Sequence, residues 1–216
     1  MQRLRIRFSR GPELKFISHL DNMRLWHRAF NRAGIPLAYS EGFNPHPRMS
    51  LAAPLAVGVT SEAELLDILV TRTVSPHFFT SAVGQQLPPG IEILQVYPLA
   101  PILPSLQSQV RFAEYRVELE TDKSPADIES ALASLLSLEK LPWQHQRDTG
   151  PRNYDLRALV DDLWLIDSSD GRGTIGMRLR CGSHGAGRPE QVAAALGFTR
   201  PPESLHRTRL ILQAAG

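Results

Sequence analysis

Three histidines, a row of arginines and a proline-bracketed loop fall together in residues 16–50, FISHLDNMRLWHRAFNRAGIPLAYSEGFNPHPRMS. His19 and His46 carry imidazole, the side chain that titrates nearest neutrality, so either could serve as a general acid or base. Arg24, Arg28 and Arg32 recur every four residues. On a helix that spacing lines three guanidinium groups along roughly 12 Å. Such a row can follow a phosphate backbone, each contact adding salt-sensitive affinity. Paired with Asp21, it is equally a solvated helix face. In GFNPHPR (residues 42–48), Pro45 and Pro47 fix the backbone on either side of His46, and Gly42 permits a sharp exit from a strand. A loop stiffened this way has little entropy left to lose on binding. It offers Phe43 for stacking, with Asn44, His46 and Arg48 as polar contacts. The plain alternative is a rigid turn whose polar groups satisfy one another.

Metal chemistry is not expected from these histidines. His19 and His27 lie about 12 Å apart along a helix axis, too far to ligate one ion, and His27 falls on the apolar side. In the second half, Arg152, Tyr154, Asp155 and Arg157 cluster ahead of an apolar run. Tyr154 could stack on a base while Arg157 binds phosphate. The alternative there is an Asp155–Arg157 ion pair that pins a loop. His184 sits in GSHGAGR, a Gly-rich stretch before a helix where backbone amides can hold an anion. Its spacing matches neither a phosphate-binding P-loop nor a dinucleotide fingerprint.

The elements that must position these groups can be read from periodicity. Residues 3–10 alternate Leu4, Ile6 and Phe8 with Arg3, Arg5 and Arg7, the pattern of a half-buried strand. Gly11-Pro12 marks a turn, and 14–17 is expected to continue the pairing. Ser18 is the N-cap of a helix, with Asp21 three residues on, and Gly34 followed by Pro36 ends it. Leu20, Met23, Trp26, His27, Phe30 and Ala33 share the side expected to face the core. Strands at 36–40, 63–71 and 91–97 and a helix at 76–87 complete a βαββαβ order over residues 1–98. After a Pro-rich linker (99–108), residues 109–216 repeat it. Strands or extended segments are expected at 111–120, 141–146, 163–167, 173–180 and 206–213, and helices at 125–138 and 188–196. The expected fold class is α+β, two tandem ferredoxin-like domains with antiparallel sheets.

Composition narrows the function classes. Of 216 residues, 42% are hydrophobic and 21% charged, as in a globular protein with a sizeable core. No apolar run approaches the ~18 residues of a membrane span, and the N-terminus alternates charge with hydrophobe where a secretory signal would be continuously apolar. The single Cys181 builds neither an internal disulfide nor a cysteine metal cage. A cytoplasmic protein without a cofactor is expected. The net charge of +2 hides an asymmetry, because residues 1–50 hold nine Lys/Arg against three Asp/Glu. A basic end on a near-neutral chain suggests a polyanionic partner. Arginine outnumbers lysine 21 to 3, which suits phosphate recognition and also suits a GC-rich coding sequence.

The run FISHLDNMRLWHRAFNRAGIPLAYSEGFNPHPRMSLAAPLAVGV resembles the radical-SAM-linked protein family, a group of unknown function. The resemblance is dense over residues 3–70 and is carried by Ser18, His19, Asp21 and Arg24, then by Gly42, Asn44, Pro45, His46 and Pro47. It implies a radical-SAM protein as partner. This chain has no C-x-x-x-C-x-x-C to hold an iron–sulfur cluster, so the resemblance implies the associated domain in stand-alone form. The leading expectation is an accessory protein that binds RNA, or presents a substrate, for a separate radical-SAM enzyme. Its RNA contacts would be Arg24, Arg28, Arg32, Phe43, Asn44, His46, Arg48, Tyr154 and Arg157. A metal-independent RNA-processing enzyme with His19 or His46 as base, and a protein-docking module without RNA, are the alternatives.

Overall fold

Leu4, Ile6 and Phe8 are fully buried along β1 (Gln2–Arg10) and set the core face of the first sheet. The structure, a computed structural model, describes residues 1–100, 103–147, 150–182 and 185–213. It divides into two compact units, Met1–Val110 with the last residues from Leu212, and Arg111–Ile211.

In the first unit, β1 leads through α1 (His19–Arg32) to β2 (Met49–Leu51) and β3 (Thr60–Val70), then through α2 (Pro76–Gly84) to β4 (Ile91–Leu99) and a single turn, α3 (Leu106–Gln109). β1 lies antiparallel between β3 and β4, and β2 adds antiparallel to β3, giving the order β4-β1-β3-β2. Both longer helices cover one face. Trp26, Ala29 and Phe30 of α1 and Phe79 and Val83 of α2 pack on Leu4, Ile6, Phe8, Leu66 and Ile68. Ring contacts run from Phe8 through Trp26 and Phe30 to Phe79, with centroids 4.8, 5.4 and 5.6 Å apart.

In the second unit, β5 (Val110–Glu120) is followed by α4 (Pro125–Ser137) and a two-stranded hairpin, β6 (Pro142–Arg147) with β7 (Gly150–Asp155). β8 (Val160–Ser169), β9 (Arg172–Gly182), the short β10 (Gly185–Ala186), α5 (Pro189–Ala195) and β11 (Ser204–Leu212) complete it. Apart from β10, the order is β11-β5-β9-β8, with β9 antiparallel to both β5 and β8. Last strand, first, third, second is the same arrangement as in the first unit. Both units therefore mix helices with a predominantly antiparallel sheet. Ser124 caps α4 through a reciprocal capping box with Asp127. On β9, Gly176 has no side chain because the Trp164 indole of β8 lies over it, where a Cβ would fall 1.9 Å from the ring.

Several expected elements differ. Residues 14–17 do not extend β1. Pro12–Leu14 form a 3-10 turn, since Pro12 has no N–H for a ladder and the Leu14 N–H returns to the Gly11 carbonyl at 3.3 Å. Residues 36–40 make only the isolated bridges Leu37–Val70 and Tyr39–Pro47. Pro36 again lacks a donor, and the Leu37 N–H turns back to the Ile35 carbonyl. The strand beside β3 is instead β2. On α1, Leu20 is exposed, while Asn22 and Ala29 are buried in its stead. The hairpin strand β7 holds Arg152, Tyr154 and Asp155 of the polar cluster, Arg157 lies in the turn after it, and the linker region contains α3. No helix among the described residues is long and apolar enough to cross a membrane.

Candidate nucleic-acid interface

Ser18 caps α1 as its position suggests. Its Oγ accepts the Asp21 N–H at 3.1 Å and donates to Asp21 Oδ2 at 2.7 Å. That hydroxyl is the first cause of an Asp21 carboxyl held below the ordinary carboxylate range. Some desolvation opposes it, and the charges of Arg24 and Arg28 add to it. Arg24 reaches Asp21 at 3.4 Å with both side chains more than half exposed, so the pair is weak and opens at little cost. Arg28 is exposed and has no hydrogen bond or ion pair among the described residues. Arg32 differs from both. Its Nε and Nη2 donate to the side-chain and backbone oxygens of Gln86 at 3.2 and 2.7 Å, so it is engaged in holding α1 to the segment after α2.

The GFNPHPR loop is closed at its base and open at its tip. The Ser40 N–H donates to the His46 carbonyl at 2.8 Å, the His46 N–H to Ser40 Oγ at 2.9 Å, and the Arg48 N–H to the Ala38 carbonyl at 2.8 Å. Gly42 takes φ +114°, a conformation costly for any residue with a Cβ. Beyond this base Phe43 is fully exposed, and Asn44 and His46 are exposed beside it. The base is closed by backbone groups and the Ser40 hydroxyl, which leaves the side chains of Phe43, Asn44 and His46 free. The base is tied to α1 by Tyr39, whose hydroxyl lies 3.0 Å from His27 Nε2, with Asn31 Nδ2 at 3.3 Å from the same nitrogen. His27 is thus a structural link between helix and loop, and Tyr39 is a positioning residue that spacing alone did not single out.

The remaining candidates stand apart. His19 is exposed at the first turn of α1. Among the described residues no three ligating side chains gather where they could hold a metal ion. Tyr154 is half-buried on β7. Its hydroxyl bonds Gln191, Arg152 lies 6.0 Å from its ring, and burial pushes its pKa up. Arg157 donates to the Leu136 carbonyl through Nε and Nη2, at 3.2 and 2.9 Å, and to the Val160 carbonyl at 2.6 Å. No ion pair joins it to Asp155 among the described residues; Asp155 Oδ1 instead accepts the N–H groups of Leu141 and Arg157. His184 lies outside the described residues.

The family model described as an uncharacterized protein conserved in bacteria, DUF2344, matches residues 3–189, most of the chain and all of the interface above. The chain belongs to the DUF2344 family. No protein of curated function matches it significantly. Among solved structures, this DUF2344 chain is similar to one in a Cbf5–Nop10–Gar1 complex, with a TM-score of 0.52 and 11% identity over 96% of this chain and 48% of that one. A chain in an H/ACA RNP bound to a substrate RNA containing 2′-deoxyuridine gives 0.52 and 12%, over 96% and 47%. One in an archaeal box H/ACA sRNP Nop10–Cbf5 complex gives 0.50 and 13%, over 96% and 48%. The DUF2344 chain spans about half the length of these chains, and the likeness is one of fold.

Proposed function

We propose that this protein binds RNA through α1 and the GFNPHPR loop and serves as an accessory to a separate radical-SAM enzyme. In this reading each unit is a ferredoxin-like domain, as its strand order suggests, and the first carries the RNA contacts. The observation that carries the proposal is a set of free side chains on a braced backbone. Arg24, Arg28 and Arg48 hold cations available to phosphates, and Phe43 stands fully exposed for base stacking between groups that can hydrogen-bond a base or ribose. Arg32, Arg157 and Tyr154 are held by the fold and play no direct part. Similar folds occur in ribonucleoprotein complexes, one of them holding a substrate RNA. The radical-SAM partner rests on the resemblance of the signature segment.

A protein-facing surface is also favoured. Phe16, Val57 and Leu20 are 72%, 60% and 57% exposed. The Gly58 N–H bonds the Lys15 carbonyl at 2.7 Å, which sets Val57 beside the start of α1. Exposed apolar side chains gathered this way mark interaction surfaces.

The test is capture of the tagged chain from its host with and without RNase, with RNA sequenced and proteins identified together. Enrichment of a defined RNA along with a radical-SAM protein is expected. A partner that survives RNase with no RNA enriched would leave the apolar surface as the functional one and remove the RNA role.

A further inference from the structure

On the face of the first sheet opposite α1 and α2 lies a cleft of about 470 Å³, bordered by Arg3, Arg48, Met49, Ser50, Asp67 and Ser105 among others. Asp67 interrupts the apolar run of β3 and is 4% exposed. Its carboxylate receives Arg5 Nε on Oδ1 at 2.7 Å, and Arg5 Nη2, Arg3 Nε and Arg3 Nη2 on Oδ2 at 2.9, 3.0 and 2.7 Å. Four N–H groups converge on this carboxylate, three on Oδ2 and one on Oδ1. Two guanidinium groups on one carboxylate leave one positive charge in excess. Arg5 too is 4% exposed, so water does little to disperse that charge. Arg3 also donates to the carbonyls of Leu103 and Pro104 at 2.7 and 2.9 Å. Those are neutral dipoles and cancel no charge.

Arg48 brings a second positive charge to the rim, and its guanidinium has no partner among the described residues. Ser50 sits directly across the ladder from Asp67, and its hydroxyl is likewise unengaged there. The Ser105 hydroxyl, by contrast, is used by Ser108 at 3.0 Å. Arg3 and Arg48 border the cleft and Arg5 is joined to it through Asp67, so three cations stand against one carboxylate, with a free fork and a free hydroxyl as donors.

We propose that this cleft binds a phosphate monoester, as a free mononucleotide or as the 5′-phosphate of an RNA strand. A phosphate monoester carries about −1.5 to −2 charge near neutral pH and three acceptor oxygens, matching the surplus in both charge and donors. A carboxylate ligand would neutralise half of it. The volume lies within the roughly 300–1,000 Å³ of small-molecule sites. Arg48 is shared with the RNA interface, but Arg3, Arg5, Asp67 and Ser50 play no part in it, so Ser50→Ala tests the cleft apart from that reading.

Calorimetric titration of the full chain with UMP, and separately with one hexaribonucleotide in 5′-phosphorylated and 5′-hydroxyl forms, tests it. Saturable UMP binding is expected, weakened about tenfold or more in Arg48→Ala, weakened in Ser50→Ala, and unchanged in Arg72→Ala. Arg72 is exposed and outside the cleft. That result identifies the free mononucleotide as ligand. If UMP is silent but the 5′-phosphate tightens the hexamer and Arg48→Ala erases that gain, the strand end is the ligand. Absence of both effects, or UMP binding undiminished in Arg48→Ala, overturns the proposal. Equal binding of the two hexamers with no UMP binding would remove the cleft and leave the RNA interface standing. UMP binding with no hexamer binding would do the reverse.

Discussion

Removing the charge of Arg28 and removing that of Arg32 should have different consequences for RNA binding, although the two occupy equivalent places in the sequence pattern. Arg24, Arg28 and Arg48 have guanidinium groups free or held only by a weak surface pair, whereas Arg32 already donates to two oxygens of Gln86. A cation that neutralises a phosphate releases counterions, and on single-stranded RNA each contact contributes about 0.7 to the slope of log K against log salt. Arg28→Ala should therefore lower the slope by about 0.7, and the triple change of Arg24, Arg28 and Arg48 to Ala by about 2. Between 50 and 200 mM salt the advantage of wild type over the triple variant should then shrink roughly 20-fold.

Arg32→Ala should leave the slope unchanged and instead lower stability by about 1 kcal/mol, from the loss of the Gln86 bonds. Fluorescence anisotropy with a labelled oligoribonucleotide over a salt series reads the slopes, and urea unfolding reads the stability. An Arg32→Ala slope that falls as far as that of Arg28→Ala would falsify the distinction. A triple variant with wild-type slope would refute the interface.

Two further perturbations test the framework beneath these surfaces. Asp67→Ala leaves Arg5 buried, and Arg3 partly so, without their carboxylate, and removing one partner of a buried pair costs about 3–5 kcal/mol, to be read in urea unfolding. Ser18→Ala should let the Asp21 carboxyl rise toward its ordinary range, as followed by side-chain NMR titration. A carboxyl depressed in the folded state contributes stability that is present above its unfolded pKa and lost as pH falls through its folded one. Wild type should accordingly lose stability over that acidic window, and Ser18→Ala should lose less. An Asp21 titration identical in the two proteins would assign the depression to Arg24 and Arg28 in place of the hydroxyl.

Where local chemistry decides structure, the sequence was legible. Alternation in β1, the Ser18 cap and the Gly34 exit from α1 each rest on groups within four residues of one another, and each appears at or near its expected place. Failures arose where a distant partner decided. Arg3 and Arg5 read as the solvent-facing half of an amphipathic strand, yet Arg5 is buried because Asp67, sixty-two residues away, draws it in. The warning was a carboxylate inside AELLDILV. An acidic residue within an otherwise apolar strand must find a cation if it is to be buried, and the neighbouring basic strand supplied two. Arg32 and Arg157 were unreadable for the same reason: their acceptors are the oxygens of Gln86, Leu136 and Val160, and a carbonyl leaves no mark in residue type.

That contrast also bears on why the loop around His46 is the better functional candidate than any single arginine. An arginine is withdrawn from the surface by whatever oxygen comes within reach, so its availability is a tertiary accident that sequence does not record. The loop is different because, apart from the Tyr39 tie to His27, its bracing is local. Pro45 and Pro47 need no partner to restrict the chain, and Ser40 closes the base through hydrogen bonds to His46 alone. Phe43, Asn44 and His46 are then presented to solvent on backbone already ordered, at an energetic cost met during folding and not during binding. Replacing Pro45 and Pro47 by Ala would change no side chain proposed to touch RNA. It should nonetheless weaken binding while leaving the salt slope as in wild type, because it loosens the loop and removes no charge.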